Sequence, residues 1–274
     1  MQIYKQMDIG TAKPSFEEMS GIVHHMIDVV DIDTPFSVSD YCESAGAIIK
    51  DILKQEKLPI LAGGTGLYID SLINNIDFSK SSNNTQVREK YTEFLNEKGA
   101  IELHNILKKL DPVAAESIHY NNSKRVIRAL EHIELTGELF SDYKIKASSE
   151  NSPYKSLMFF INMDREILYQ RINKRVDIMI EHGLVDEAKN IYDKNYDRSL
   201  TAMCAIGYKE LFDYFDGQCS LDEAIDNIKQ NSRRYAKRQL TWFRRNKNLI
   251  LLDFDDNLFE KASVETEKWL KNIY

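Results

Sequence analysis

A cluster of three glycines around one threonine, GGTG at residues 63–66, joins two apolar segments. The preceding run, LPILA at 58–62, is typical of a buried strand, and GLYIDSL at 66–72 is typical of the first turns of a helix. A strand that passes through glycines into a helix presents unpaired backbone N–H groups and the positive end of the helix dipole. Thr65 adds a hydroxyl that both donates and accepts hydrogen bonds. The pattern predicts a turn that holds a phosphate or another polar ligand. The alternative is that Thr65 only satisfies its own turn.

The usual nucleotide-binding loop is a different pattern. It needs a Gly-Lys pair followed by Ser or Thr, and no glycine of this sequence is followed by lysine. GGTG is therefore not the main phosphate loop of a common nucleotide-binding protein.

The segment 229–247 is the most strongly basic part of the sequence. It contains eight basic residues and no acidic one, while the net charge is −7, so the rest of the chain carries −15. Lys229, Arg233 and Lys237 recur four residues apart, which places them on one helix face. Aromatic residues such as Trp242 are interleaved. Cations that pair with phosphates and rings that stack on bases favour a single-stranded nucleic acid as partner. A solvated face over aromatic core residues is the alternative.

The order of strands and helices predicts the fold class. Four short apolar runs have the composition of buried strands: 24–31, 58–62, 156–162 and 249–254. Helical patterns separate them, which predicts a parallel α/β sheet flanked by helices. A polar break at 79–84 opens a mostly helical region. The predicted domains are an α/β core of residues 1–78 and 146–274, and a helical insert of residues 79–145.

Several residue types mark where the helices begin and end. Ser37 and Ser220 each precede an acidic residue by three positions, as in a capping box. Asp111 precedes a proline, which is a common way to start a helix. Gly137 and Gly183 are expected to end helices.

Composition excludes several classes of protein. The 274 residues are 43% hydrophobic and 29% charged, which is typical of a globular protein. No apolar run approaches membrane-spanning length, and the amino terminus lacks the pattern of a signal peptide. The three cysteines are far apart and have no metal-ligand spacing. These features predict a cytoplasmic protein with reduced thiols and no membrane attachment.

Six blocks occur in a distinctive order: MQIYKQMDIGTAKP (1–14), HHMIDVVD (24–31), LAGGTGLY (61–68), KRVIRALE (124–131), AIGYKEL (205–211) and RRYAKRQLTWFRR (233–245). Together they resemble the tRNA dimethylallyltransferases, the bacterial tRNA isopentenyl transferases, over nearly the whole chain. The resemblance implies a P-loop-kinase-like parallel sheet flanked by helices, with a helical insertion domain. It also implies transfer of a dimethylallyl group from dimethylallyl diphosphate to the exocyclic N6 amine of the adenosine 3′-adjacent to the anticodon. The expected substrates are tRNAs that read codons starting with U.

The resemblance assigns roles to individual positions. Thr65 is expected to orient the reacting adenine. The residues expected to contact the tRNA anticodon stem-loop are Met1, Gln2, Arg88, Lys124, Arg125, Val126, Ile127, Arg128, Lys229, Gln230, Asn231, Ser232, Arg233 and Arg234. The residues expected to bind the diphosphate are Gly63 and Gly64 in the turn and Arg171 and Arg175, which resemble the lid-like basic helix of phosphate-transferring folds. For the KRVIR segment, the alternative is a solvated face whose charges pair with Glu131.

The sequence also departs from the family pattern. Family members normally open with a strand, a GPTASGKT-type loop and a helix, followed by a D-S-x-Q-I-Y motif. This sequence enters at MQIY, so we expect it to be incomplete at its amino terminus. It lacks the diphosphate-binding loop and the aspartate that the family uses as general base. Cys204 stands where the family often has Arg or Gln, which removes one expected polar contact.

These departures shape the functional expectation. We expect little or no activity from this chain by itself, Mg²⁺ as the cofactor of the family reaction, and a monomer. No residue of the chain is assigned as a metal ligand. Two alternatives stay open: a truncated tRNA-binding protein without catalysis, and a small-molecule P-loop kinase. The GGTGLY and RRYAKRQLTWFRR blocks count against the kinase.

Overall fold

The computed structural model describes residues 1–74, 85–142 and 152–272. The chain divides into two compact units: unit 1 comprises Met1–Ile69 and Ser156–Tyr274, and unit 2 comprises Asp70–Lys155. The polar break at 79–84 lies outside the described residues, as do the predicted domain boundaries at 78/79 and 145/146. No helix in the described ranges combines the length and the apolar character needed to cross a membrane.

The described residues form ten α-helices, one short 3₁₀ helix and two strands. The helices are α1 (Val38–Lys54), α2 (Gly66–Ile73), α3 (Thr85–Leu110), α4 (Pro112–Ser117), α5 (Ser123–Thr136), α6 (Arg165–Glu181), α7 (Leu184–Tyr192), α8 (Tyr208–Phe215), α9 (Leu221–Phe243) and α10 (Leu258–Lys271). The strands are β1 (Phe159–Asn162) and β2 (Ile250–Asp253), and the 3₁₀ helix is Ala202–Cys204. The backbone of α3 is broken at Gly99, where φ is 86°.

The two strands pair in parallel, with Phe159 opposite Ile250 and Asn162 opposite Asp253. Helices α6 to α9 connect them, which is the crossover that parallel strands require. In unit 2, the regular elements of the described residues are all helices. The predicted class, an α/β fold with a parallel sheet and a helical insertion, is confirmed.

Two of the four predicted strands are wrong. Within 24–31, only Val30 forms a bridge, with Tyr4, and 58–62 forms no strand. Ile60 is 86% exposed. An apolar run becomes a strand only where a neighbouring strand satisfies its backbone N–H and C=O groups. In the described part of the chain, β1 and β2 pair only with each other.

The predicted helix boundaries are confirmed where they depend on caps. Ser37 Oγ accepts from the Asp40 backbone N–H at 3.3 Å, and the Asp40 carboxylate accepts from the Ser37 N–H at 2.7 Å. The same reciprocal pair starts α9 at Ser220 and Glu223. Each pair satisfies backbone donors that the first turn of a helix leaves free. The cap at the start of α9 is the one that bears on the candidate site, because this helix carries the basic segment.

A carboxylate on α7 holds the amino-terminal loop of unit 1. Glu187 accepts backbone N–H bonds from Asp8, Ile9 and Gly10 at 2.8–3.0 Å. The Tyr208 hydroxyl donates to the same carboxylate at 2.6 Å. Burial, then the Glu187 carboxylate, raises the pKa of Tyr208, so this hydroxyl remains a donor. A Cβ at Gly10 would lie 2.6 Å from the Tyr208 ring, so only glycine fits there. The MQIYKQMDIGTAKP and AIGYKEL blocks therefore form one packed structure.

The buried Lys13 side chain also stabilises the amino-terminal loop. Its side chain is only 7% exposed, and its ammonium donates to Asp28 at 2.5 Å, to the Tyr4 carbonyl at 3.1 Å and to Asp8. Burial opposes the charge, but the hydrogen bonds to Asp28 and Asp8 outweigh it and raise the pKa of Lys13. A buried cation needs such partners, because an unpaired one would be strongly destabilising. Lys13 is thus a structural residue.

Unit 2 has its own apolar core between α3, α4 and α5. Its buried residues are Tyr91, Leu103, Leu107, Ala114, Ala115, Ile118, Val126, Ile127, Ala129 and Leu130. Asp111 is fully buried beside this core and accepts from the Ala114 N–H at 2.9 Å and the Ser141 N–H at 2.8 Å. Burial alone would raise the pKa of Asp111, but these hydrogen bonds outweigh it and lower the pKa. Asp111 therefore both caps α4 and fixes the segment that follows α5.

The Glu187 contacts lead to a stability prediction. We expect Glu187→Ala to lower the free energy of unfolding by about 2–4 kcal/mol, because three backbone donors and one hydroxyl lose a charged acceptor. Both tryptophans, Trp242 and Trp269, lie in unit 1, so urea unfolding followed by tryptophan fluorescence measures this change. The control is Glu181→Ala, an exposed acid at the end of α6 without a described partner, with an expected change below about 0.5 kcal/mol. Equal losses from both substitutions would contradict the role of Glu187.

The Asp111 contacts lead to a prediction for the Ser141 segment of unit 2, which the ionised carboxylate holds at neutral pH. The pKa of Asp111 is lower in the folded than in the unfolded chain. Its contribution to stability is therefore present above the unfolded pKa and is lost as the pH falls through the folded pKa. We expect Asp111→Asn to reduce hydrogen-exchange protection of the Ser141 amide at neutral pH, whereas Asp142→Asn, an exposed neighbour, does not. Protection that survives in Asp111→Asn would show that this carboxylate does not hold Ser141.

Candidate nucleic-acid interface

The GGTG turn presents an exposed hydroxyl at the start of α2. The Thr65 carbonyl accepts the N–H groups of Tyr68 at 3.0 Å and Ile69 at 3.2 Å, which begins the helix. The Thr65 side chain is exposed, and its hydroxyl has no hydrogen-bond partner among the described residues. The alternative in which this hydroxyl only satisfies its own turn is therefore not supported. The hydroxyl is available to an external ligand.

Helix α9 packs directly on this turn. Gln239 Nε2 donates to the Gly64 carbonyl at 3.0 Å. A Cβ at Gly64 would lie 1.8 Å from Gln239 Nε2, and a Cβ at Gly66 would lie 2.2 Å from Trp242 Cδ1. Gly63 has open space instead. Two of the glycines are thus required by the close approach of α9 rather than by an unusual backbone conformation.

Two tyrosines pack together next to the turn. The rings of Tyr68, three residues after Thr65, and Tyr41 on α1 have centroids 4.8 Å apart. Burial, then the neighbouring Cys42 and Tyr68, raises the pKa of Tyr41 to about 12. Burial also raises the pKa of Tyr68. Both phenols stay neutral at physiological pH, so they support the turn but do not act as bases.

The first half of the basic segment is bound within unit 1. Lys229 pairs with Asp177 on α6 at 2.6 Å, and Arg233 donates to Asn173 on α6 at 2.6 Å. Asn231 is also engaged. It donates to Glu210 on α8 at 2.8 Å and accepts from Arg234 at 3.3 Å. Gln230 is exposed and Ser232 is half-buried.

The second half of the segment carries the free positive charge. Lys237, Arg244, Arg245 and Lys247 are exposed and have no ion-pair or hydrogen-bond partner for their side chains in the described part of the chain. The Arg238 guanidinium lies 5.6 Å from the centroid of the Tyr235 ring. Free cations bind phosphates more readily than paired ones, because no internal partner has to be displaced. In the described part of the chain, the exposed and unpaired cations of the basic segment therefore lie after Arg234.

The amino-terminal candidates differ from each other. Met1 is exposed. The Gln2 side-chain amide donates to the carbonyls of Thr11 at 3.1 Å and Ala12 at 2.8 Å, so its donors are already used within the loop. Cys204 is exposed, and its Sγ lies 3.9 Å from the Arg198 carbonyl.

The diphosphate candidates are not brought together by any described contact. Gly63 is open in the turn. Arg171 and Arg175 share one face of α6, and the Arg171 guanidinium lies 4.8 Å from the centroid of the Phe254 ring, just after β2. Arg175 is exposed and has no partner among the described residues. A diphosphate role for these residues stays a prediction.

Unit 2 presents a separate set of candidates. Arg88 forms a two-point ion pair with the buried Glu131, at 2.9 and 3.0 Å. The alternative in which Glu131 pairs with the KRVIR cations is therefore not supported. Lys124, Arg125 and Arg128 are exposed, and their side chains have no partner in the described ranges.

Two candidates in unit 2 have buried side chains. The Val126 side chain is fully buried and Ile127 is 7% exposed, both in the core of unit 2. They lie on the inner face of an amphipathic helix, so their side chains are not available to contact RNA.

The described residues do not provide an evident magnesium site. Mg²⁺ binds through carboxylate and other oxygens. No group of three or more His, Cys, Asp or Glu side chains is placed to hold a metal ion in the part of the chain that the structure describes. Mg²⁺ as the cofactor of the reaction stays a prediction.

Comparison with known proteins identifies the family. The family model described as IPP transferase matches residues 2–246. A tRNA dimethylallyltransferase of Halalkalibacterium halodurans is 46% identical over 270 residues, which cover 98% of this chain and 86% of that protein. The chain belongs to the tRNA dimethylallyltransferase family.

Solved structures agree with this membership. The tRNA isopentenylpyrophosphate transferase of Bacillus halodurans is 45% identical, covers 98% of this chain and 86% of its own, and has a TM-score of 0.71. A eukaryotic dimethylallyltransferase acting on tRNA is 28% identical, covers 99% of this chain and 71% of its own, and has a TM-score of 0.85. The predicted prenyltransferase class is thus confirmed for this tRNA dimethylallyltransferase family member, and the small-molecule kinase is disfavoured.

Sequence reasoning missed several residues that build the site. Glu187 has no distinguishing spacing, and its role depends on a loop that lies far away in the sequence. Gln239 lies in the RRYAKRQLTWFRR block, where only the cations and aromatic residues were singled out. Trp242 was named as an interleaved aromatic residue, but its contact with the GGTG turn was not predicted. The two glycines of the turn were the available signal, because glycine often marks a close approach of backbone to a neighbouring group.

The free cations on α9 lead to a binding prediction. We expect the affinity of the protein for an anticodon stem-loop to fall steeply with salt and Lys237→Ala to lower the salt slope by about one unit, because one phosphate contact is lost. Lys229→Ala is the matched comparison on the same helix. Its ammonium is paired with Asp177, so we expect a smaller change in slope. Fluorescence-anisotropy titrations at several salt concentrations measure both. A flat salt response, or a larger change in slope for Lys229→Ala, would contradict this assignment.

Proposed function

We propose that this protein transfers a dimethylallyl group from dimethylallyl diphosphate to the N6 amine of the adenosine 3′-adjacent to the anticodon. The expected substrates are tRNAs that read codons starting with U. Family membership supports the transfer of a prenyl group to tRNA. The single observation that carries the proposal is the exposed Thr65 hydroxyl, which has no described partner in a turn packed against α9.

The chemical step forms one bond and breaks one. The N6 nitrogen attacks C1 of the dimethylallyl group, and a C–N bond forms. The C–O bond to the diphosphate breaks, the electron pair leaves with the diphosphate, and one N6 proton passes to a base. Thr65 can accept a hydrogen bond from the amine or donate one to a ring nitrogen of the adenine. Either bond holds the N6 nitrogen in line with C1 of the dimethylallyl group. Such orientation accounts for a large share of the rate enhancement when geometry is the main requirement.

Two positive surfaces support binding of RNA, each within its own unit. Unit 1 presents Lys237 and the cations that follow it, and unit 2 presents Lys124, Arg125 and Arg128. Phosphate contacts of this kind fix the register of the RNA without reading its sequence. The target base must leave its stack before an amine inside the loop can react. In unit 1, Lys237 lies on α9, the helix that contacts the Thr65 turn through Gln239.

The proposed role of Thr65 predicts separate effects of its substitution on prenyl transfer and on tRNA binding. In the full reading frame that encodes this chain, we expect Thr65→Ala to lower kcat for prenyl transfer by about 10- to 100-fold, because a misplaced nucleophile costs about that much. The dissociation constant for tRNA should change less than about threefold, since one uncharged contact among many is lost. Thr65→Ser keeps the hydroxyl and is the matched control, so it should retain most of the activity.

The outcomes separate the proposal from its alternative. Equal loss of transfer and of binding in Thr65→Ala would show that Thr65 does not act on the reacting base. Binding of tRNA without any transfer by the wild-type protein, with dimethylallyl diphosphate present, would support a tRNA-binding protein without catalysis.

A further inference from the structure

Gln239 and Trp242 contact the GGTG turn from one side of α9. They are three residues apart, so they face the same direction on the helix. Gln239 reaches the Gly64 carbonyl, and the Trp242 ring lies against Gly66. The two contacts therefore flank Thr65 on both sides along the chain.

The two contacts differ in stiffness. The Gln239 amide is the end of a flexible side chain and can move away from an added methyl group. The Trp242 contact involves ring atoms Cδ1, Nε1 and Cγ, which would lie 2.2–2.6 Å from a Cβ at Gly66. An indole ring is rigid, so either the Trp242 side chain would have to adopt another rotamer, or the helix or the turn would have to move by about 1 Å or more to restore normal contact. Trp242 therefore sets the distance between the turn and α9.

Helix α9 is itself fixed to the rest of unit 1. Lys229 and Arg233 bind Asp177 and Asn173 on α6. Asn231 binds the buried Glu210 on α8. The polar residues in the first half of the basic segment thus anchor the helix, and its second half supports the turn.

We propose that Gln239 and Trp242 are positioning residues for prenyl transfer. They hold the Gly64–Gly66 backbone so that the Thr65 hydroxyl meets the extruded adenine at the correct distance and angle. The inference rests on the proposed function of Thr65. It assigns these two side chains to the geometry of the reaction rather than to contact with RNA phosphates or bases.

The test is a compensating pair of substitutions, made in the full reading frame that encodes this chain. We expect Gly66→Ala to lower kcat by about 10- to 100-fold, because displacements of about 1 Å at a reacting group have effects of this size. Affinity for the anticodon stem-loop should stay within about threefold, since the phosphate-binding cations are untouched. Adding Trp242→Leu removes the ring atoms that collide, so the double variant should regain at least about tenfold in kcat over Gly66→Ala.

A second readout reports the position of the base without catalysis. An anticodon stem-loop with 2-aminopurine in place of the target adenosine gains fluorescence when this base leaves its stack. We expect the wild-type protein to change this signal and Gly66→Ala to alter the bound-state signal without altering affinity. The double variant should recover the wild-type signal. Leu67→Ala, which trims an exposed residue next to the turn, is the control for a general effect of substitution in α2.

If Gly66→Ala does not fold, Gln239→Met decides the question, because it keeps the size of the side chain and removes only the donor to Gly64. A reduced kcat with unchanged tRNA affinity is then expected, and unchanged kcat would overturn the inference. If Gly66→Ala and the double variant both fold, one result would overturn this inference but leave the proposed function standing. That result is transfer by the wild-type protein with no recovery of kcat in the double variant. Absence of transfer by the wild-type protein would remove the proposed function, and the inference with it.

Discussion

The close approach of α9 to the GGTG turn is the constraint on which the candidate site depends. In the observed arrangement, a Cβ would lie 1.8 Å from Gln239 Nε2 at Gly64 and 2.2 Å from Trp242 Cδ1 at Gly66. The approach leaves Thr65 pointing to solvent at the start of a helix, with its hydroxyl unpaired in the described part of the chain. A hydroxyl held by rigid backbone loses little entropy when it binds a ligand, which is the benefit of a preorganised site.

The polar residues of the basic segment divide into two physical roles. Internal pairs such as Lys229 with Asp177 keep α9 in place, and the exposed cations after Arg234 remain available for phosphate. The same distinction applies in unit 2, where Arg88 is held by Glu131 and the KRVIR cations are exposed. Sequence alone counts charges but does not show which are already neutralised by a partner. Whether a cation is neutralised depends on an acidic side chain that lies far away in the sequence, and the position of that side chain depends on the fold.

Much of the fold was predictable because the signals are local. Ser37, Ser220 and Gly137 mark helix ends through hydrogen bonds and backbone conformations that involve only neighbouring residues. Strands at 24–31 and 58–62 were not predictable in this way, since a strand needs a partner that may lie anywhere in the chain. The burial of Val126 and Ile127 follows from helical periodicity, because both lie on the apolar face of α5. Glu187 gave no sequence signal, because its three backbone donors lie in a loop 177–179 residues away in the sequence.

The most direct test of the account is nucleoside mass spectrometry of tRNA from the source cells, with and without the reading frame that encodes this chain. The account predicts that adenosine carrying one dimethylallyl group on N6 is present next to the anticodon in tRNAs reading codons that start with U. It also predicts that this nucleoside disappears when the reading frame is deleted and returns when the reading frame is restored. Persistence of the modified nucleoside after deletion, with no change in any prenylated adenosine, would contradict the account.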